Sequence, residues 1–436
     1  MSFTSRRLRS VAAVALTAGL ALGTGACTKD EKPAAPTESQ GPVTITLQYF
    51  GKPGFDDAVK AFQTANPNIT VEVQNQGELK DFAPKLAQWL SAGKGAGDVV
   101  MLEEGQLLGY IEDHKNFANL YDLGANDVKG DYLPFKITNA STPDGSKLIG
   151  LGTDVGPLAM CYRADLFKKA GLPTNRDEVS ALWPTWDDYA KQGAIFKSKV
   201  KDAAWLDSAT SIMQPYIMQN GETWFYSKDN EFVGDTNPVV KTAWDFGLKL
   251  AADGLTGKLA RWSPDWSASF KKGGFATQPC PPWMTGVIEG NAGKAGEGKW
   301  DIATIPGKGG NWGGSYLAVP AQSQHQKEAF KLAAYLTGPE GGVTAFNATG
   351  ALPSNVKALD DPKVTEKVNK YFSNAPTGKI FAGAAKELKP IYLGPKHQAL
   401  WENVYEPAMQ SAEQGKATSD AAWAKATADG KKLAEG

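Results

Sequence analysis

The 436-residue chain carries 46 basic and 47 acidic side chains, 42% hydrophobic residues and three cysteines. Its near-neutral charge, with no basic run in the body of the chain longer than pairs such as Lys271-Lys272 and Lys431-Lys432, excludes a nucleic-acid partner held by electrostatics. Roughly 395 residues are available for folding once the N-terminal segment is set aside, which is large for one core and comfortable for two domains.

In chain order, Arg6, Arg7 and Arg9 precede an apolar run, residues 11–22, too short to span a membrane as a stable helix. Gly25-Ala26 directly before Cys27 resembles a bacterial lipobox, with Thr24 standing where leucine is usual. The expectation is a signal peptide over 1–26, a lipid-modified Cys27, and a solvated tether over 27–42, a segment with no large apolar side chain after its cysteine. Removing 1–26 leaves 43 basic and 47 acidic residues, a net charge of −4.

Residues 43–50 alternate and are rich in β-branched side chains, which predicts a strand. Asp56 opens a helix with Ala58, Val59, Phe62 and Ala65 on one face, ended by Pro67. A second strand follows over 69–73, a helix over 79–90 with Phe82 and Leu86 inward, and a third strand over 98–102. This β-α-β-α-β order predicts a parallel sheet covered by helices. Ligands of such sheets sit beyond the C-terminal strand ends, here Gly51-Lys52, Asn75-Gln76 and Glu103-Glu104.

Residues 147–162 hold two strand-like runs joined through Gly152, Gly156 and Pro157, which reads as a crossover between domains. Asp165 is expected to cap a short helix over 166–170 that Gly171 closes. Thr185, with Asp188 three residues on, is expected to cap a helix running to Phe196. Further on, the pattern predicts a strand over 203–206, helices over 211–220 and 238–252, and strands over 303–306 and 316–320 flanking a glycine-rich turn. The remainder reads as helical at 326–336, 344–346, 361–372, 400–413 and 419–433.

Five of the 13 tryptophans, Trp262, Trp266, Trp283, Trp300 and Trp312, fall in one stretch broken by glycine and proline. They cannot all line one helix. Tryptophans on turns either pin a core or offer flat faces to a ligand, and sugars suit flat faces, since their C–H bonds pack on the ring while their hydroxyls bond around its rim. Trp312 lies among glycines, a poor setting for a core residue. Trp300 is assigned to packing. Among polar groups, Glu103 and Glu104 end the third strand and Asp154 follows the crossover. Asp207, Ser211 and Gln214 are placed near the edge of the second domain. Tryptophans with paired carboxylates also fit a glycoside hydrolase, with Glu103 or Glu104 and Asp154 as acid and base. There is no P-loop and no GxSxG. Neither Cys161 nor Cys280 has a histidine near it or CxxC spacing, so no zinc site is expected. In an exported chain these two cysteines are expected to pair, the alternative being two buried thiols.

By its motifs the chain resembles the extracellular solute-binding lipoproteins of ABC sugar importers, the group that includes maltodextrin-binding proteins. The resemblance spans essentially all of the mature chain. It rests on Asn66-Pro67-Asn68-Ile69-Thr70-Val71 after a helix, Gly97-Asp98-Val99-Val100, Tyr162-Arg163-Ala164-Asp165-Leu166-Phe167, Pro184-Thr185-Trp186-Asp187, Gly313-Gly314-Ser315-Tyr316-Leu317 and Ala333-Ala334-Tyr335-Leu336-Thr337. Cys161-Tyr162-Arg163 with Cys280-Pro281-Pro282-Trp283 looks closest to cellobiose/cellotriose-binding lipoproteins of streptomycetes. The resemblance implies a two-lobed α/β periplasmic-binding-protein-like fold with a multi-strand hinge and a ligand cleft between the lobes. It implies 43–153 plus 315–375 as one lobe and 156–312 plus 378–436 as the other. It places Trp283 as a stacking platform and Trp401 as a further cleft aromatic. It also implies an oligosaccharide ligand, no cofactor, no enzymatic activity, a monomer, and permease subunits with a cytoplasmic ATPase as partners.

Overall fold

The structure, a computed structural model, describes residue 39 and residues 41–436. The expectations for the signal peptide, for Cys27 and for nearly all of the tether fall outside the described residues. No helix among the described residues is long and apolar enough to cross a membrane.

The chain opens with β1 (Val43–Tyr49), α1 (Asp56–Ala65), β2 (Ile69–Asn75), α2 (Leu79–Ala92), β3 (Val99–Glu103) and α3 (Glu104–Glu112). Ala58, Val59 and Phe62 turn inward from α1, and Phe82, Leu86 and Leu90 from α2, as the helical period requires. β1 pairs in parallel with β2 and β3. The remaining strands are β4 (Gly150–Gly152), β5 (Asp154–Val155), β6 (Ala159–Arg163), β7 (Ala204–Leu206), β8 (Phe275–Cys280), β9 (Trp300–Ala303), β10 (Ser315–Ala318) and β11 (Leu352–Pro353). They form three sheets, ordered β2-β1-β3-β10-β4, β7-β8-β6-β9 and β11-β5.

The first sheet is therefore only partly parallel, because β10 returns from far along the chain antiparallel to β3 and β4. The small β5–β11 pair joins the path from β4 to β6 with a segment beyond β10, and its Val155 and Leu352 pack in the core around Cys161 and Cys280. A second path runs from β9 to β10 through the glycine-rich turn. The two paths are zipped together. Gly156 donates to Asn311 Oδ1 at 2.9 Å, and Trp312 donates its backbone N–H to the Gly156 carbonyl at 2.8 Å. A Cβ at Gly156 would lie 2.1 Å from the Trp312 carbonyl oxygen, so only glycine allows this approach.

Several elements differ from the sequence expectation. The strand expected over 303–306 lies earlier, because Trp300–Ala303 is what pairs with β6 and Pro306 has no N–H to give. β8 is unanticipated, since its Pro279 argues against a central strand. Pro279 is tolerated because β7 pairs with β8 only at Phe275 and Thr277, short of it. Residues 361–372 form only one helical turn, Pro362–Thr365, before Ser373 and Asn374 adopt left-handed backbone. Asp165 does not cap its helix; Arg163 stands at that position and binds the Asp165 carboxylate at 2.6 and 2.7 Å. Thr185 does cap, accepting from the Asp188 N–H at 3.2 Å. Leu352, Ala358, Leu359, Val364 and Phe372, which the resemblance assigned to the first lobe, pack in one core with Cys161, Cys280 and Trp300 of the second.

Cys161 and Cys280 are fully buried on neighbouring strands and form a disulfide, with Cα atoms 5.4 Å apart and a sequence separation of 119. Replacing both with alanine is expected to cost about 2–5 kcal/mol by freeing the unfolded chain. Urea unfolding with an unchanged midpoint would show that the bond contributes nothing.

Candidate functional site

β3 runs directly into α3, so Glu103 and Glu104 stand at the junction of the lobes. They have different surroundings. Glu104 is buried and accepts from Lys136 Nζ at 3.1 Å. Lys136 comes from the helix Pro134–Asn139, has no exposed surface, and holds its ammonium 4.3 Å from the centre of the Tyr316 ring. Asp154 is also buried and accepts from Thr153 Oγ1 at 2.6 Å and from the Ser315 N–H at 3.0 Å. Burial raises the Asp154 pKa, and the Lys136 charge opposes that rise. A Cβ on Gly314 would sit 2.5 Å from Lys136 Nζ. Glu104, Asp154 and Lys136 thus form a compact polar knot in the hinge, with much of their bonding capacity spent within the protein.

Glu103 is half-buried and caps α3, accepting from the Gly105 N–H at 2.6 Å. Burial, then the charge of Glu104, push its pKa up to about 8, while the Gly105 hydrogen bond works the other way. α3 turns two glycines toward the second lobe. A Cβ on Gly105 would lie 2.6 Å from Gln398 Oε1, and one on Gly109 would lie 2.7 Å from the Pro395 carbonyl. Gln398 in turn donates to Glu402 Oε1 at 2.7 Å. Because folding raises the Glu103 pKa, the native state binds this proton more tightly than the unfolded chain does. Its contribution is present below the ordinary value of 4.5 and is lost as pH rises toward about 8. Glu103→Gln keeps the cap acceptor and removes the titration. Its thermal midpoint is expected to fall less than that of the parent chain between pH 5 and pH 8; parallel profiles would refute this.

The other wall is aromatic. β8 ends at the disulfide, Pro281-Pro282 stiffen the turn, and Trp283 enters the helix Met284–Ala292 half-buried. Its indole N–H donates to the Trp312 carbonyl at 3.1 Å. Its ring stacks with Trp262 at 6.2 Å and meets Trp312 edge-on at 5.8 Å. Trp262 is 43% exposed with φ at +65°, an uncommon backbone for a bulky residue and one that clusters at functional sites. Trp266 is buried beside Trp262 and donates to Asp207 Oδ2 at 2.8 Å. The Arg261 guanidinium lies 4.9 Å from the Trp312 ring and 5.7 Å from the Trp401 ring, and is held by Glu406 at 2.7 and 2.9 Å. Trp401 begins a π-helical turn, Trp401–Tyr405, a feature often found at functional sites.

The structure therefore brings Trp283, Trp312 and Trp401 to one region with Glu103 at the lobe junction. Ser211 is fully buried beside the Asp207 carboxylate. Gln214 ties down the crossover through the Asn311 carbonyl at 3.0 Å. Trp300 is fully buried in β9. Arg261, Glu402 and Glu406 were not anticipated. Arg261 precedes a Trp and the Ser263 cap of a helix, a weak signal, and the two glutamates read as an ordinary solvated helix face. Among the described residues no group of three or more His, Cys, Asp or Glu is placed to hold a metal.

Comparison with known proteins adds context to this geometry. Residues 57–372 match the family described as bacterial extracellular solute-binding protein. A solved extracellular solute-binding protein of family 1 is 40% identical, with a TM-score of 0.80 over 90% of this chain and 100% of that one. A binding protein associated with an ABC transporter of B. animalis subsp. lactis Bl-04, solved in complex with β-1,6-galactobiose, is 23% identical with a TM-score of 0.75, covering 90% and 99% of the two chains. The arabinooligosaccharide-binding protein of Bacillus subtilis (strain 168) is 25% identical over 77% of each chain.

Proposed function

The chain belongs to the bacterial extracellular solute-binding proteins, and we propose that its solute is an oligosaccharide delivered to an ABC importer, with cellobiose or cellotriose as first candidates. As a member of that family the chain binds its solute and does not convert it. The observation that carries the sugar reading is the Trp262–Trp283–Trp312 set with Arg261 against Trp312, and with Gly313, the next residue along the chain, beside Glu103. Flat rings take the C–H faces of a pyranose, and carboxylate and guanidinium groups at the rim take its hydroxyls. The sugar-binding relatives named above support the same class.

In this reading Trp283 and Trp312 are the stacking rings, Trp401 backs them through Arg261, and Glu103 accepts from a sugar hydroxyl. Glu104 and Asp154 shape the hinge, and Ser211 and Gln214 support the second lobe. The sugar contacts both lobes only when they close, so its affinity for the closed state exceeds that for the open one and shifts the population. Permease subunits with a cytoplasmic ATPase would then receive the closed form of a monomer. Cys27 would carry the lipid that keeps it at the outer face of the membrane.

Calorimetric titration with cello-, xylo-, malto-, chito-, arabino- and galacto-oligosaccharides tests the proposal, with tryptophan fluorescence as a second readout. Saturable binding of one series with a fluorescence change and no product supports it. Failure of every saccharide to bind overturns it.

A further inference from the structure

The lobes meet at a place where no chain crosses between them. α3 belongs to the first lobe, since its Leu107 and Ile111 turn into the core of the β1–β3 sheet. Another face of the same helix carries Gly105 and Gly109, four residues apart and so one above the other. That face lies on the turn at 394–396 and on the helix His397–Leu400. These belong to the second lobe. Leu400 and Trp401 share a core with Met213 and Trp244, and the helix Pro238–Ala252, which carries Trp244, also sends Leu250 into the core behind β6 and β7.

The fit is close. A Cβ on Gly109 would lie 2.7 Å from the Pro395 carbonyl oxygen, and one on Gly105 would lie 2.6 Å from Gln398 Oε1 and 3.2 Å from His397 Cδ2. The counterface is stiff. Gly394, with φ at +85°, sits so near Tyr226 that a Cβ there would be 2.1 Å from its ring. Pro395 has a fixed φ, and Lys396 donates to the Leu433 and Ala434 carbonyls at 3.2 and 3.4 Å. Glycine inside a helix is unfavourable relative to alanine, and α3 spends two of its nine positions on it. Close approach is the return. Among the described residues no hydrogen bond or ion pair joins α3 to this segment, so the surfaces can part without stranding a buried polar partner.

We infer that Gly105 and Gly109 form a closure latch: the glycine face of α3 seats on the turn at 394–396 as the lobes close, and the closeness of that fit sets how tightly a solute between the lobes is held. Neither glycine has a side chain to offer a ligand, so both act on affinity through the closed state alone. The effect on the solute rests on the saccharide reading above.

Gly109→Ala is the test, because Gly109 meets a backbone carbonyl held in place, whereas the Gln398 side chain at Gly105 can swing aside. The full chain is titrated with cellotriose, maltotriose and β-1,6-galactobiose, its thermal midpoint is measured without ligand, and its radius of gyration is followed by X-ray scattering on binding. The variant is expected to bind the accepted saccharide about tenfold more weakly and to contract less. Its unliganded midpoint is expected to hold or rise, since in the open form the methyl meets solvent and alanine favours the helix. A lowered unliganded midpoint would show that α3 and the turn are permanently packed, and overturns the inference. Parental affinity in the folded variant overturns it as well, and leaves the saccharide reading intact. Failure of all three saccharides to bind the parent chain overturns the saccharide reading, and the latch then stands or falls on the unliganded midpoint.

Discussion

Trp283→Ala is expected to weaken saccharide binding by about 2–4 kcal/mol, roughly 30- to 1000-fold, the range of a central aromatic anchor. The thermal midpoint is expected to stay within a few degrees of the parent. The reason lies in how the ring is held. The Cys161–Cys280 disulfide and two prolines fix the turn without help from the indole. Trp283 is half-buried, meets Trp262, Trp312 and the Trp312 carbonyl, and packs on the edge of the core around the disulfide. Truncation removes a platform and one hydrogen bond, whereas the buried core behind it, with Cys280, Met284 and Ile288, remains. Phenylalanine should recover part of the loss, since it restores a flat face without the N–H. A folded alanine variant with parental affinity would remove Trp283 from the site.

Lys136→Met is expected to destabilise the protein by about 3–5 kcal/mol, through the hinge rather than the ligand. The ammonium is fully buried against Glu104 and the Tyr316 ring, with Asp154 also within its field. Methionine keeps most of the aliphatic stem but leaves Glu104 buried opposite no cation. The double variant Lys136→Met/Glu104→Gln should recover much of the loss, because removing both charges also removes the unpaired one. A double-mutant cycle by urea denaturation measures the coupling. Additive losses would show that the pair does not act as a unit.

Much of the first lobe was legible because its signals are local. Val43–Tyr49 alternates, Ala58, Val59 and Phe62 recur at helical spacing, and both features survive into the structure. Legibility falls where an element exists only through its partners. β8 contains a proline and becomes a strand because β6 and β7 flank it. The chain from Leu352 to Phe372 has no pattern of its own that chooses a lobe, and its apolar residues settle in the core around the disulfide. Residue type likewise could not separate Glu103 from Glu104. Adjacent residues on a strand end point opposite ways, so one meets Lys136 and the other the lobe junction.

By itself the sequence determined the α/β character of the first domain, the tryptophan-rich stretch and the carboxylates at the end of β3, because these follow from periodicity, composition and order along the chain; the two-lobed class came from the resemblance of its motifs. Only the tertiary structure decided which of these groups remain available. Glu104 and Asp154 are drawn into the knot with Lys136. Arg261 is set between Trp312 and Trp401, and Asp207 is buried and bound to the Trp266 indole. The physical reason is that desolvation and pairing belong to the space around a side chain, and that space is assembled from segments hundreds of residues apart.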